Sequence, residues 1–236
     1  MKVIHLNKKL LAVACSTVLL FVGMTLMADE EHPQNEKKKY ELPPPPAQHE
    51  QHMMEYRNHL NEQQHMYQQS MAQFQREKRM AHYRYQREYA DEMLRQQRLY
   101  ERERIQNYRN DHFFNTCYDR RYNRGGTYYR TNRYGIEHLQ QAIQYGYSQG
   151  FQAGRADRED RWRYDFESCN AYRDANYGFN GYYVNQADYN YYFREGFRRG
   201  YEDGYHRRYN YGRVTNGKYI ILRSILTGIL PFEILR

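Results

Sequence analysis

His49, His52, His59 and His65 lie among Met53, Met54, Met66 and Met71. Imidazole and thioether suit copper, and His49 and His52 share one face if the segment is helical. The spacing matches no closed metal-site signature, so these residues read as the surface of a Gln-rich helix, with no metal ligand and no cofactor assigned. His112 and Cys117 could form a nucleophile pair, but no third orienting group accompanies them, and a disulfide cysteine is the stronger reading. The acids from Asp157 to Asp160, with Asp165 and Glu167, lack the pattern and glycine of a calcium loop; alternating with arginine, they read as a solvated helix face. No phosphate-binding loop, nucleophile elbow or His-Glu-x-x-His motif occurs. The chain is therefore expected to have no catalytic residue and not to be an enzyme.

The 236 residues include 28 Tyr and 28 Arg. Mean hydropathy is −1.16. These values exclude a polytopic membrane protein and a large enzyme domain with an aliphatic core. An aromatic content of 17% is too high for a simple solvating tail. Arginine interleaved with tyrosine could bind nucleic acid through phosphates and base stacking. The charge distribution argues otherwise. Residues 29–46 carry net −2, residues 47–134 net +5, residues 135–213 net zero and residues 214–236 net +2. An anionic surface polymer or lipid headgroups would meet the basic 47–134 segment.

Export is the second argument against nucleic acid. Lys2, Lys8 and Lys9 precede an almost continuously apolar run, Leu10 to Met27, and no acid appears before Asp29. Residues 1–28 read as a signal peptide cleaved after Ala28, with an uncleaved N-terminal anchor as the alternative. Either way residues 29–236 are exported, to the periplasm, the cell envelope or the outside. Cys117 and Cys169 are then the two cysteines of the exported part, and an even count in an oxidising compartment makes them a disulfide candidate.

Residues 29–46 form a polar, disordered linker ending in Pro43 to Pro46, a polyproline II spacer of about 12 Å. From Ala47 to Arg124 there is neither Gly nor Pro, and residues 47–113 read as one long Gln/Arg-rich helix. Met53, Tyr56, Leu60, Tyr67, Phe74 and Ala81 keep a heptad-like spacing, but Gln63, Ser70 and Glu77 interrupt the seam. A coiled coil and partial disorder both remain open for it. Residues 114–134 read as a loop, on the strength of Gly125-Gly126.

The strongest pattern is duplicated. Gly146-Tyr147, Gly150-Phe151 and Gly154 form one run; Gly196-Phe197, Gly200-Tyr201 and Gly204-Tyr205 form another, 50 residues later. A four-residue period fits a helix and not a strand. Ile136, Leu139 and Ile143 extend the first stripe, and Tyr189, Tyr192 and Phe193 the second, with Asp188 as N-cap of the second helix. Three glycines inside a helix cost about 3 kcal/mol relative to alanine, which a closely approaching partner backbone can offset. A membrane location fails on charge, because Arg155, Asp157, Arg198, Arg199, Glu202 and Asp203 would enter lipid. Residues 135–213 are therefore expected to fold as a glycine-zipper helical hairpin, with pairing between chains as the rival arrangement.

The run from Ala171 to Asn180 (AYRDANYGFN), followed by Phe193 to Tyr205 (FREGFRRGYEDGY), resembles uncharacterised exported bacterial proteins with tandem Tyr-x-x-Gly repeats. The resemblance implies an architecture for residues 136–213 and no catalytic residue. In residues 214–236, Leu222, Ile225, Leu226, Ile229 and Leu230 would form one face of an apolar C-terminal helix that covers the hairpin, or lies at a membrane interface. The whole reads as a mainly α protein: a long N-terminal helix, a glycine-zipper hairpin and a short apolar C-terminal helix. The expected role is structural or interactive in the cell envelope, with self-association or another envelope protein as partner. A binder of anionic polymer or copper through residues 47–134 is the alternative.

Overall fold

The computed structural model describes residues 63, 65–107, 112–181 and 183–235, within one compact unit spanning Leu42–Arg236. The basic start, the apolar run, the proline linker and residues 47–62 lie outside the described residues. Over the described residues the protein is mainly helical with two small sheets. No described helix is long and apolar enough to cross a membrane.

Residues 65–76 are helical, and a second helix, α1, runs from Met80 to Asn107. Between them Lys78 takes a positive φ of 58°. Arg79 N–H bonds to Phe74 O at 2.9 Å and Lys78 N–H to Gln75 O at 3.2 Å, which is a Schellman ending without its usual glycine. The break turns Arg79 and His82 towards the rest of the molecule.

A helical turn, α2 (His112–Asn115), leads into β1 (Arg120–Arg124) and β2 (Thr127–Thr131). The expected 114–134 loop is thus largely a β-hairpin. Gly125 and Gly126 supply φ values of 58° and 89°, the two positive angles that a two-residue hairpin turn matching strand twist requires. Asn132 then caps α3 (Arg133–Glu159), its side chain accepting from the Tyr134 and Gly135 amides.

A 3-10 turn at Phe166–Ser168 and a short helix, α4 (Asn170–Asp174), carry the chain to α5 (Gln186–His206). Asn185, not Asp188, caps α5. The two exchange bonds: Asp188 N–H to Asn185 Oδ1 at 2.8 Å, and Asn185 Nδ2 to Asp188 Oδ2 at 2.7 Å. Asn185 thus caps the helix through its side-chain oxygen, and Asp188, expected to be the cap, instead accepts from the Asn185 side-chain amide.

The region expected to be an apolar helix, 214–236, is mostly something else. β3 (Gly212–Thr215) and β4 (Lys218–Ile221) pair through the Asn216-Gly217 turn, and only α6 (Arg223–Ile229) is helical. Positive φ at Asn216 and Gly217 is what this hairpin needs. The chain then returns as β5 (Phe232–Ile234) to pair antiparallel with β1, giving the strand order β2-β1-β5. Leu230 is fully buried, and Ile225, Leu226 and Ile229 pack on the core.

Helices α3 and α5 form the centre of the molecule, and they run parallel. A Cβ on Gly146, Gly150 or Gly154 would meet the carbonyl oxygen of Phe193, Phe197 or Tyr201 at 2.0, 2.1 and 2.2 Å. A Cβ on Gly196, Gly200 or Gly204 would meet that of Ile143, Tyr147 or Phe151 at 2.1, 2.0 and 2.1 Å. Contact numbers rise together along both helices, so the hairpin expected for residues 135–213 is corrected to a parallel pair joined by a crossover at 160–185. The glycine stripe fixes which faces meet but not their polarity. In the parallel arrangement the contact of Gly146 with Phe193 recurs as that of Gly196 with Ile143. The sequence duplication is therefore an approximate two-fold relation along the pair.

Candidate functional site

The aromatic residues beside the glycines are core residues. Tyr147, Phe197 and Tyr201 are fully buried, and Phe151 nearly so. Along α5 the rings of Phe193, Phe197, Tyr201 and Tyr205 stack successively, with centroids 6.0–6.3 Å apart.

Three aspartates, Asp157, Asp188 and Asp203, are fully buried, and each accepts a tyrosine hydroxyl from another element. Tyr201 of α5 donates to Asp157 at 2.6 Å. Tyr147 of α3 donates to Asp203 at 2.9 Å, and Tyr122 of β1 to Asp188 at 2.5 Å. Burial and these bonds push the pKa of all three tyrosines up, so each hydroxyl stays a donor. Asp203 also accepts from the Asn210 and Tyr211 amides at 2.9 and 3.0 Å, which fixes the chain entering β3. Arg124 pairs with Asp188.

Asp157 has a different second role. It is the docking point for α1. Arg79 donates to Asp157 Oδ1 at 2.6 Å, and His82 Nδ1 lies 2.5 Å from the same oxygen. Arg79 is sandwiched between rings, its guanidinium carbon 4.9 Å from the Phe74 centroid and 4.3 Å from that of Trp162. Asp160 accepts from the Ala81 and His82 amides, both at 2.8 Å, and so caps the start of α1. Burial alone would raise the Asp157 pKa; the His82 and Tyr201 bonds and the Arg79 charge outweigh it and hold the carboxyl below the usual range. The expected solvated acidic face at 157–160 is corrected accordingly. Spacing did carry a signal: Gly146, Gly150, Gly154 and Asp157 step by 4, 4 and 3, so Asp157 continues the buried stripe.

Cys169 joins this cluster. It is fully buried, and a His82 nitrogen, an Asp157 oxygen and Cys169 Sγ all lie within 4.8 Å of one another. Burial, with Asp157 nearby, pushes the thiol pKa well up. Cys117 is exposed and both cysteines are free, so the expected Cys117–Cys169 disulfide is corrected. The crossover buries Cys169 in the interior, while Cys117 stands at the surface before β1. His112 is likewise exposed, on α2. Of the His/Met set, His65 and Met66 are exposed; the histidine that the fold brings to a potential ligand cluster is instead His82, which its spacing did not mark.

Two surface features complete the picture. An open groove of about 320 Å³ is lined by Tyr164, Phe166, Arg198, Arg199, Glu202 and Tyr211. Both its arginines are held by Glu195, so it offers little unpaired charge. On the sheet, alternation and register put Arg121, Asn123, Tyr128, Arg130 and Glu233 on the face away from buried Tyr122. Arg121 lies over the Tyr128 ring at 4.8 Å and pairs with Glu233 at 2.5 Å. No protein-family model, curated protein or solved structure matches the chain.

Proposed function

We propose that this is an exported cell-envelope protein with a structural or interaction role and no catalytic activity. One observation carries this reading: the three fully buried aspartates at the centre are bonded across elements, Asp157, Asp188 and Asp203 each taking a tyrosine hydroxyl from a neighbouring element. Carboxylates committed in this way hold a scaffold together rather than face a substrate. The basic start and apolar run of residues 1–28 support export, and the proline spacer would separate that N-terminal segment from the folded unit. Partners would be a second copy or another envelope protein.

The sheet supports a second reading, the binding of an anionic envelope polymer. Its outer face presents Arg130 and Tyr128, both exposed, beside Arg121. Capture from envelope fractions at low and high salt separates the two. Protein partners retained at high salt support the scaffold reading; polysaccharide or lipid capture that salt abolishes supports the polymer reading. Recovery of the chain from the cytoplasmic fraction alone would refute both.

A further inference from the structure

We propose that His82 and Cys169 bind a monovalent copper ion in the core, with Asp157 as the positioning residue. The inference is independent of the interaction role above and does not use the His/Met segment near the N-terminus.

Three residues from distant parts of the chain meet here. His82 lies on α1, Asp157 near the end of α3 and Cys169 at the start of α4. One ring nitrogen of His82, an Asp157 carboxylate oxygen and Cys169 Sγ fall within 4.8 Å of one another. His82 is 1% exposed and the other two are fully buried. His82 commits Nδ1 to Asp157, and its Nε2 is buried with no hydrogen-bond partner. The Tyr85 hydroxyl, whose ring meets the His82 ring edge-on at 5.6 Å, is also buried without one. A buried polar atom without a partner is costly, and each calls for an explanation. A carboxylate on one imidazole nitrogen, with the other nitrogen left for a metal, is the usual outer-shell arrangement of a histidine ligand. Tyr201 in turn holds the second oxygen of Asp157 at 2.6 Å.

Charge selects the ion. Arg79 already balances Asp157 at 2.6 Å, with both side chains buried. Binding replaces the thiol proton with the metal: the S–H bond breaks, an S–Cu bond forms and one proton leaves to solvent. With Cu⁺ the buried cluster remains neutral. Among these fully buried groups a divalent ion would leave one more positive charge; Glu77, 28% exposed and 3.6 Å from Arg79, is the remaining acid at the edge of the cluster. Thiolate and imidazole are also the soft and borderline donors that Cu⁺ prefers.

The test uses residues 29–236 carrying Cys117→Ser, which leaves Cys169 as the one thiol, kept free of oxygen and titrated with Cu⁺ against a colorimetric Cu⁺ chelator. One tightly held ion, one proton released and a single Cu–S scattering path in X-ray absorption are expected. Cys169→Ser, close in volume, should weaken that site at least 100-fold while keeping the apo near-UV circular dichroism. Tyr201→Phe should weaken it about 10- to 100-fold through Asp157. Should Cys169→Ser not fold, the Cu–S path in the parent and the Tyr201→Phe titration decide. Copper bound with the same affinity by Cys169→Ser, a spectrum without sulfur, or Zn²⁺ taken up in preference to Cu⁺ would overturn the proposal.

Discussion

Gly200→Ala and Gly228→Ala make the same chemical change in two helices and should move stability in opposite directions. At Gly200 a Cβ would stand 2.0 Å from Tyr147 O, 2.8 Å from Tyr147 C and 2.9 Å from Phe151 N. All three are backbone atoms of α3, so no rotamer change relieves the contact. An ordinary carbon–oxygen contact needs more than 3 Å, so the parallel helices must part locally by about 1 Å. A gap of that size forfeits about a quarter to a half of each contact's attraction along the seam. Overpacking of this kind costs about 3 kcal/mol at the upper end of its usual range. Against it stands the helix-propensity gain of alanine over glycine, about 1 kcal/mol. The net loss is about 2 kcal/mol, a fall in melting temperature of about 4–8 °C for a domain of this size. At Gly228, inside α6, a Cβ would meet nothing within 4 Å. There only the propensity term acts, giving a gain of about 0.5–1 kcal/mol and a rise of about 2 °C. Urea and thermal unfolding of both variants by circular dichroism measure this. Gly200→Ala melting at or above the parent would refute the close approach of α3 and α5, whatever Gly228→Ala does.

Two further outcomes are expected. His138 is buried among the rings of Phe179, Tyr183 and Tyr189, and burial, opposed by a Gln141 hydrogen bond, lowers its pKa from 6.5 to about 4. Above pH 6.5 both states hold a neutral imidazole; between pH 6.5 and 4 the unfolded chain takes up a proton that the folded one refuses. Stability should therefore be intact above 6.5 and fall by about 3 kcal/mol across that window, at ~1.4 kcal/mol per pH unit. In urea titrations at pH 7.5 and 5, His138→Leu should lose most of this dependence; an unchanged slope would contradict it. The second concerns the thiols. Cys117 is exposed and Cys169 buried. A chromogenic thiol reagent should label Cys117 of residues 29–236 at once and Cys169 only after unfolding, and a native protein in which Cys117 does not react would restore the disulfide.

The parts of the fold legible in the sequence are those set by local chemistry. Gly125-Gly126 and Asn216-Gly217 are hairpin turns by their backbone demands alone, although glycine as a breaker marks only a loop at the first and nothing within a helical tail at the second. The ends of helices were not legible. The helical stretch 65–76, α3 and α5 all stop at a cation in the left-handed region, Lys78, Arg161 and Arg207, where a glycine would mark the stop. A cation there interacts favourably with the helix C-terminus, which offsets part of the backbone strain but leaves no breaker to see. Nor could the polarity of the zipper be read, because small residues at i, i+4 and i+8 present the same stripe in either direction. What decides it is the crossover between α3 and α5, which buries Cys169 fully and packs the partly buried Phe166 against the core.

The approximate two-fold relation explains where the cluster lies. In each central helix an aspartate four residues before the left-handed residue, Asp157 before Arg161 or Asp203 before Arg207, lends its backbone carbonyl to a Schellman ending: Trp162 N–H to Asp157 O at 2.8 Å, Arg208 N–H to Asp203 O at 2.9 Å. Each also accepts a tyrosine hydroxyl from the other helix. Up to that point the halves are equivalent, and the duplication suffices to explain them. They diverge in what fills the rest of each carboxylate. Asp203 takes two backbone amides, which close its environment without any side chain. Asp157 takes Arg79 and His82 from an element outside the repeat, and places them against Cys169 of the crossover. A scaffold needs only the first solution, which leaves no imidazole nitrogen without a partner. The orphaned nitrogen of His82 arises at the first copy of the unit, where it departs from the second, so that end of the zipper is where a binding function should be sought.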